Sequence, residues 1–358
     1  MVARIGGGMW PTIRKKTMHF RNFSATGAFL VGAALFSVAA YAADLRVLTH
    51  SAFAVPKPLL EQFEADSGIK LHITKTGDAG EMLNKLILTR AAPVADVVFG
   101  IDNTLVGKAL AAQVLEPYKG PAATRASSVS LPSPVVPVDY GYVSINYDKA
   151  WFVKNKLALP KSLDDLTQAK YAKLLAVQNP ATSSTGNAFM LATIGSMGEE
   201  KAFAWWGRMR SNGLKVAKGW SEAYYTEFSQ NGGAYPLVVS YATSPAAELF
   251  YSNGKFTEPP TGSLALPGAV FRQVEGVALV KGGVARAAAE KFIEFMRSAP
   301  VQQGLQTEMW MFPVEVGVAR ADAMRFAPEP ATHTSPSAQE LAAKGSDWVA
   351  RWTKVVLK

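Results

Sequence analysis

The stretch ADVVFGIDNTL (95–105) decides the fold class. Up to Gly100 it is a short run of apolar and β-branched residues, a composition typical of a strand that is buried on both faces. The polar residues at 102–104 follow at once and predict the start of a helix. A buried strand that passes directly into a helix is the repeating unit of a mostly parallel α/β sheet.

The same unit recurs on the N-terminal side of this stretch. LRVLT (45–49) has the pattern of a strand, and KPLLEQFEADSGI (57–69) has helical spacing and ends at a glycine. LHIT (71–74) alternates like a second strand, and GDAG (77–80) turns into another helix. Strands and helices therefore alternate from residue 45 onwards.

On the C-terminal side, the long extended stretch VDYGYVSINY (138–147) is interpreted as the first crossing between two lobes. A second αβ series is predicted over 162–236. Strands are then predicted at 236–241 and 275–280, and amphipathic helices at 287–297 and 337–357. Ser244 followed by Pro245 predicts a helix start with Ser244 as the N-cap.

Residues 1–42 are predicted to be a secretory signal peptide that is removed. Five bases and no acid come first, an apolar run spans 28–40, and small residues surround the expected cleavage site. The alternative is a membrane anchor, but the apolar run is shorter than the roughly 20 residues that cross a bilayer. We therefore expect export to the periplasm.

The composition excludes several classes of function. The chain has 358 residues, 37 Lys and Arg, 28 Asp and Glu, and no Cys. Without the five bases of the leader, 32 bases remain against 28 acids, and this net charge of +4 is too small and too scattered for a nucleic-acid-binding protein. Thiol chemistry and disulfides are excluded. About 316 residues remain after the leader, more than one typical core holds, so two lobes are expected.

NPATSSTG (179–186) is a candidate anion site. Four consecutive hydroxyl residues precede a helix predicted from Asn187, and the free N–H groups and dipole at a helix start favour a phosphate or a carboxylate. The alternative is an ordinary helix cap, for which one hydroxyl suffices.

KGWSEAYY (218–225) is a candidate aromatic face, because three aromatic residues lie within six positions. Such rings bind planar or cationic ligands, although they could equally belong to the core. Tyr241 and the residues after it lie where a strand ends, which is where open α/β sheets bind ligands. Asp78, in a Gly-rich turn, could accept hydrogen bonds from a ligand amine or cap the next helix.

Catalysis is not indicated by the sequence. After the leader the chain has three His, at positions 50, 72 and 333, without metal-ligand spacing. It has no G-x-S-x-G elbow, no P-loop and no Rossmann glycine pattern. We expect no enzyme, no cofactor and no metal site.

The chain resembles the thiamine-binding periplasmic proteins, which are substrate receptors of thiamine ABC importers in the type II solute-binding superfamily. The resemblance covers nearly all of the chain after the leader. It is carried by the blocks ADVVFGIDNTL (95–105), PVDYGYVSINYDK (137–149), NPATSSTG (179–186), KGWSEAY (218–224), VVSYATSPA (238–246) and, less strongly, MWMFPV (309–314).

The resemblance implies an α/β fold of the two-lobed type II periplasmic binding protein class. Each lobe is then a mixed, mostly parallel sheet flanked by helices, and crossing hinge strands join the lobes. We expect lobe 1 at 44–138 and 242–300, and lobe 2, with the C-terminal helices, at 139–241 and 301–358. The implied partners are a thiamine-class ligand and an inner-membrane ABC permease, with the receptor a monomer.

The resemblance also implies which residues bind the ligand. The family's acidic contact falls on Asp78, beside Ala79. Its hydroxyl loop, at a phosphate or hydroxyethyl tail, falls on Ser183 and Ser184. The expected stacking residues are Trp220 and Tyr241, and the family's hinge segment falls on Tyr241, Ala242, Thr243 and Ser244.

One departure puts the ligand in question. Relatives often have Tyr-Asp-Ser-Phe and then a Trp-Gly pair after the first strand, whereas this chain has HSAFAVP (50–56). Another cationic heterocycle is therefore an alternative ligand. Ferric iron on Tyr224 and Tyr225, with His50 as a third ligand, is a second alternative, and a secreted phosphoesterase that uses the hydroxyl loop is a third.

Overall fold

The strand and helix units predicted around residues 95–105 are present in the computed structural model, which describes residues 43–327 and 329–358. The predicted signal peptide at 1–42 lies outside the described residues. The strands, in chain order, are β1 (Ala43–Thr49), β2 (Ile69–Lys75), β3 (Val97–Asp102), β4 (Leu115–Glu116), β5 (Val136–Asp148), β6 (Leu175–Gln178), β7 (Lys215–Ala217), β8 (Leu237–Tyr241), β9 (Thr261–Leu264), β10 (Phe271–Val280) and β11 (Phe312–Pro313).

The α-helices alternate with these strands along most of the chain. They are α1 (Lys57–Ser67), α2 (Ala79–Leu88), α3 (Val106–Ala111), α4 (Pro121–Thr124), α5 (Lys149–Lys154), α6 (Leu163–Leu166), α7 (Ala169–Ala172), α8 (Ser184–Met197), α9 (Glu199–Ser211), α10 (Trp220–Glu222), α11 (Ser244–Phe250), α12 (Arg286–Met296), α13 (Ala299–Glu308) and α14 (Ala338–Trp352). Among these described helices, none is both long and apolar enough to cross a membrane.

Local signals in the sequence set where the helices begin and end. Gly68 ends α1 in the left-handed conformation, with φ 68°, and its N–H donates to the carbonyl of Glu64. Ser337 and Glu340 form a reciprocal capping box at the start of α14. Strand β3 is buried along its whole length, as expected for a strand covered by helices on both faces.

The strands form one mixed sheet in the order β2-β1-β3-β10-β5-β8-β6-β7. The pairs at the two ends, β2-β1-β3 and β8-β6-β7, are parallel. The central pairs, β3-β10, β10-β5 and β5-β8, are antiparallel. We call the part around β1–β3 the first half and the part around β6–β8 the second half.

Strand β5 connects the two halves. Its first residues pair with β10 and β11, and its last residues pair with β8 and β9. This is the crossing predicted for 138–147. The sheet runs through both halves without a break. The residue limits of the two predicted lobes stay a prediction.

Each half has its own hydrophobic core. In the first half, one cluster packs on each face of the sheet, one around Phe292 and the other around Met82. In the second half, a larger cluster contains three fully buried tryptophans, Trp205, Trp206 and Trp352. The last of these lies on α14, so the C-terminal helix is part of the core of the second half.

Candidate functional site

A cleft of about 760 Å³ opens where β8 ends and α11 begins. This volume is in the range of small-molecule sites. The first half contributes the loop at 50–52 and Asp78, and the second half contributes Trp220 and Ser221. The other cleft residues used below are Thr185, Tyr224, Tyr225, Tyr241, Thr243, Ser244, Glu248, Tyr251, Lys255, Glu275, Glu308 and Trp310.

One wall of the cleft is aromatic. The rings of Trp220 and Tyr224 are stacked, with centroids 5.1 Å apart and planes 15° apart, and Tyr225 meets Trp220 edge-on at 5.3 Å. The indole N–H of Trp220 donates to Ser240 Oγ at 2.8 Å, which holds the ring in place. Tyr241 lies 6.4 Å from Trp220, so the two rings predicted to bind the ligand are neighbours.

A half-buried acid supports this wall. The hydroxyl of Tyr224 donates to Glu248, whose second oxygen accepts from Thr261 Oγ1 at 2.7 Å. Burial, together with the nearby Glu248 carboxylate, raises the pKa of Tyr224 well above its ordinary value. Partial desolvation also raises the pKa of Tyr225, although this residue is 61% exposed. Both phenols are therefore protonated in the ligand-free protein.

Asp78 lies between the two halves rather than free in the cleft. One carboxylate oxygen accepts the N–H of Ala79 at 2.7 Å and caps α2, and the other accepts the N–H of Trp220 at 2.8 Å. Close by, the N–H of Glu81 donates to the carbonyl of Thr182 at 3.2 Å, and Lys218 Nζ lies 2.8 Å from Glu81 Oε1. We call this group the α2 contact; it holds the halves against each other.

The hydroxyl loop is placed differently from the prediction. Helix α8 begins at Ser184, not at Asn187, so Ser183 is its N-cap and accepts the N–H of Gly186 at 3.4 Å. Ser184 Oγ accepts from Gln273 Nε2 at 2.9 Å. Both serines are buried and neither lines the cleft; Thr185, the next residue, does.

The segment after β8 is placed partly as expected. Tyr241, Thr243 and Ser244 line the cleft, whereas Ala242, like Ala79, is buried among core residues. The prediction that Ser244 is the N-cap of the following helix is wrong. Thr243 is the N-cap, and Ser244 is the first helical residue. The N–H of Ala247 donates to the carbonyl of Thr243 at 3.3 Å, so the helical hydrogen bonds already begin at Thr243. The Ser244 hydroxyl lies 2.9 Å from Ser240 Oγ.

Three acids form a row behind the cleft. Glu275 on β10 pairs in register with Asp102 on β3 and with Asp139 on β5, and all three are at most 4% exposed. His50 Nε2 lies 3.5 Å from Glu275 Oε1. We call Asp102, Asp139 and Glu275 the carboxyl row. Of the three, only Glu275 lines the cleft.

The row is poor in positive charge. Burial raises the pKa of Asp102 to about 6 and raises those of Asp139 and Glu275 well above their usual range. Burial also lowers the pKa of His50 to about 4, so this imidazole is neutral at pH 7. Gly100, at φ 104°, makes room for His50, since a Cβ there would lie 2.3 Å from its ring.

Sequence reasoning missed several cleft residues. Glu248 and Glu275 each lie within an apolar helix or strand, and an isolated acid in such a setting was an available signal. Trp310 is in the left-handed region, with φ 59°, a conformation rare for a bulky residue. It packs against Tyr251 with ring centroids 5.8 Å apart, and the pairing of these two rings had no signal in the local sequence.

Comparisons with known proteins agree with this architecture. The sequence pattern described as bacterial extracellular solute-binding protein matches residues 92–342. The thiamine-binding periplasmic protein of Salmonella typhimurium is 32% identical over 327 residues, which cover 87% of this chain and 93% of that protein.

Solved structures have the same fold. A periplasmic thiamin binding protein matches with a TM-score of 0.77 and 30% identity, over 87% of this chain and 96% of that one. A ferric binding protein from Campylobacter jejuni matches with a TM-score of 0.70 over 87% and 99% of the chains, and at 20% identity this likeness concerns the fold alone. The predicted two-lobed α/β fold is confirmed, and the chain belongs to the family of bacterial extracellular solute-binding proteins.

Proposed function

We propose that this protein is a periplasmic receptor that binds thiamine, thiamine monophosphate or thiamine diphosphate in the cleft and delivers it to an ABC importer. The names of the similar proteins support the ligand class and the compartment. The observation that carries the proposal is the stacked pair of Trp220 and Tyr224 in a cleft of about 760 Å³. Thiamine contains a permanently cationic thiazolium, and cations bind to aromatic faces.

The charges around the cleft support the same ligand class. Four acids line it, namely Asp78, Glu248, Glu275 and Glu308, against one lysine, Lys255. His50 does not offset them, because its pKa is lowered to about 4 by burial. An acidic cleft attracts a cation and raises its rate of association.

The proposed cycle includes no chemistry and no cofactor. A phosphoesterase would need a nucleophile that the substrate can reach, whereas Ser183 is fully buried and occupied as a helix cap. We propose that the loaded receptor acts as a monomer and docks on the permease in its closed form. The α2 contact supports this, since it joins the two halves beside the cleft.

The test is isothermal titration of the protein with thiamine, thiamine monophosphate and thiamine diphosphate. We expect submicromolar binding of at least one form, about 8 kcal/mol or more. Trp220→Ala should weaken it at least about tenfold, since the lost stacking and cation contact are worth roughly 1–2 kcal/mol. Trp220→Phe, which keeps a ring, is the matched control and should retain most of the affinity.

Two outcomes would contradict the proposal. Binding of none of the three forms would leave the solute-receptor family intact and remove thiamine as the ligand. Release of inorganic phosphate from either phosphorylated form would point to a phosphoesterase, because a receptor returns its ligand unchanged.

A further inference from the structure

The carboxyl row is unusual in having no cationic partner. Residues directly opposite on antiparallel strands project their side chains to the same face, about 5 Å apart, so like charges there destabilise a sheet. Asp139 is fully buried, and neither of its oxygens accepts an N–H or a hydroxyl in the described chain. In the same ranges no lysine or arginine lies within ion-pair distance of the row.

The groups that face Glu275 are therefore acids and neutral residues. Asp139 and Asp102 flank it on the neighbouring strands, Asp78 and Tyr241 act on it from the two sides of the cleft, and His50 lies 3.5 Å away. Two adjacent carboxyls in a buried site cannot both ionise, so they share a proton. Glu275 and Asp139 are such a pair, since they lie opposite each other in register and Asp139 raises the pKa of Glu275.

Access distinguishes the members of the row. Asp102 and Asp139 are fully buried, and Gln273 Nε2 donates a hydrogen bond to Asp102 Oδ2. Glu275 lines the cleft, so a ligand can reach its carboxyl group. The other acid in the inner cleft, Asp78, already uses both oxygens in the α2 contact.

We propose that Glu275 is the counter-charge of the cationic ligand, and that the cation displaces the proton which Glu275 shares with Asp139. This inference rests on the proposed function. In the free protein the pair shares one proton and carries one negative charge. In the complex both carboxylates are ionised, the ligand cation takes the place of the proton as the positive charge beside them, and the proton leaves to solvent. No bond other than this O–H is broken. Glu275 thereby selects a cation over a neutral molecule of the same shape.

The experiment measures protons released on binding. The full-length processed protein is titrated with thiamine at pH 7 in phosphate, HEPES and Tris, whose ionisation enthalpies differ, so that the slope of the binding enthalpy gives the proton count. We expect the release of a substantial fraction of one proton. Because protons are released, affinity should rise with pH in the same proportion.

Two comparisons assign the proton to Glu275. Glu275→Gln should bring the count close to zero and weaken thiamine binding at least about tenfold, one unit of 1.4 kcal/mol. Glu258→Gln, which changes an exposed acid outside the cleft lining, should leave the count unchanged. The neutral thiophene analogue of thiamine, which keeps the aminopyrimidine, should bind wild-type protein more weakly and release no proton.

The outcomes separate the two proposals. Thiamine binding without proton release, or equal release with the neutral analogue, would overturn the role of Glu275 and leave the receptor function standing. The absence of thiamine binding would instead overturn the proposed function. If Glu275→Gln does not fold, the comparison of thiamine with its neutral analogue on wild-type protein still decides the question.

Discussion

Two buried aspartates have pKa values that are shifted in opposite directions. Asp96 comes directly before strand β3, and Asp102 is the last residue of that strand. Asp96 is desolvated, but hydrogen bonds from the side chain and N–H of Arg46 and from the N–H groups of Val284 and Ala285 lower its pKa to about 2. At the other end, desolvation dominates and the pKa of Asp102 rises to about 6. Both carboxylates accept several hydrogen bonds, so the difference comes from the guanidinium of Arg46, which pairs with Asp96 and has no counterpart at Asp102.

Asp96 should be a stabilising residue whose effect disappears in acid. Its folded pKa lies below its unfolded value of about 3.9, so its contribution is present above pH 4 and is lost as the pH falls towards 2. We expect Asp96→Asn to lower the free energy of unfolding at pH 7 by about 3 kcal/mol, measured by urea denaturation.

The control for this prediction is Asp44→Asn, because Asp44 is an exposed partner of His72. It should change the free energy of unfolding by less than about 0.5 kcal/mol. Equal losses in the two variants, or an Asp96→Asn loss that persists at pH 2, would contradict the role of the Arg46 contact.

The predicted positions of site residues agree with the structure where the signal is local and differ where it is not, and their binding roles stay a prediction. Trp220 and Tyr241 lie in the cleft, as expected from the strand end and the aromatic cluster. The hydroxyl loop faces elsewhere because α8 starts three residues earlier than predicted, and each residue on a helix turns by about 100°. With the helix starting at Ser184, the hydroxyl of Ser184 accepts a hydrogen bond from Gln273, and Thr185 lines the cleft instead.

At the scale of elements, the start of α2 controls how the halves meet. Gly80 lies against the backbone of the loop before α8, and a Cβ there would lie 2.7 Å from both the carbonyl carbon and the oxygen of Thr182. Backbone atoms cannot move aside as a flexible side chain can. The glycine therefore lets α2 approach the second half closely enough for the hydrogen bond from Glu81 to Thr182.

We expect Gly80→Ala to hinder closure. Ligand affinity should fall at least about tenfold, or 1.4 kcal/mol, and small-angle X-ray scattering should show a more open molecule in the presence of ligand. The free energy of unfolding should change by no more than about 1 kcal/mol, which is the preference of a helix for alanine over glycine. The clash with Thr182 is relieved when the molecule opens.

Gly107→Ala is the matched control. Gly107 is also the second residue of its helix, α3, and its added Cβ would meet only Ala342 Cα at an ordinary 3.7 Å. This variant should bind ligand like wild type. If Gly80→Ala binds equally well, the α2 contact is not needed in the bound state.

Elements themselves were predictable because their signals lie within a few residues. The buried run in β3 and the glycine after α1 mark their elements directly. Strand order was not predictable in this way. Glu275 meets Asp102 and Asp139 only through pairings between strands more than 130 residues apart in sequence, and no local pattern sets that register.

At the scale of the whole molecule, the carboxyl row lies on three neighbouring strands in the middle of the sheet, β3, β10 and β5. A buried acid whose folded pKa is raised stabilises the fold less as it ionises, so its contribution is lost as the pH rises through the folded pKa. For Asp102 this window runs from about 4, the unfolded value, to about 6.

We therefore predict that Asp102→Asn becomes more stable relative to wild type as the pH rises from 4 to 7. The change in the difference should be up to about 3 kcal/mol, since one pKa unit corresponds to about 1.4 kcal/mol. Urea denaturation of ligand-free protein at several pH values measures it. A difference that stays constant over this range would mean that Asp102 is ionised throughout.

Strand β5 also limits how this protein can change over evolutionary time. Its 13 residues supply a paired strand to β10 and β11 near one end and to β8 and β9 near the other. A recombination event inside 136–148 would give each daughter gene half of a strand, with unpaired edges and an incomplete core. We therefore expect exchange of one half within β5 to disrupt folding, whereas substitutions around the cleft leave this strand intact.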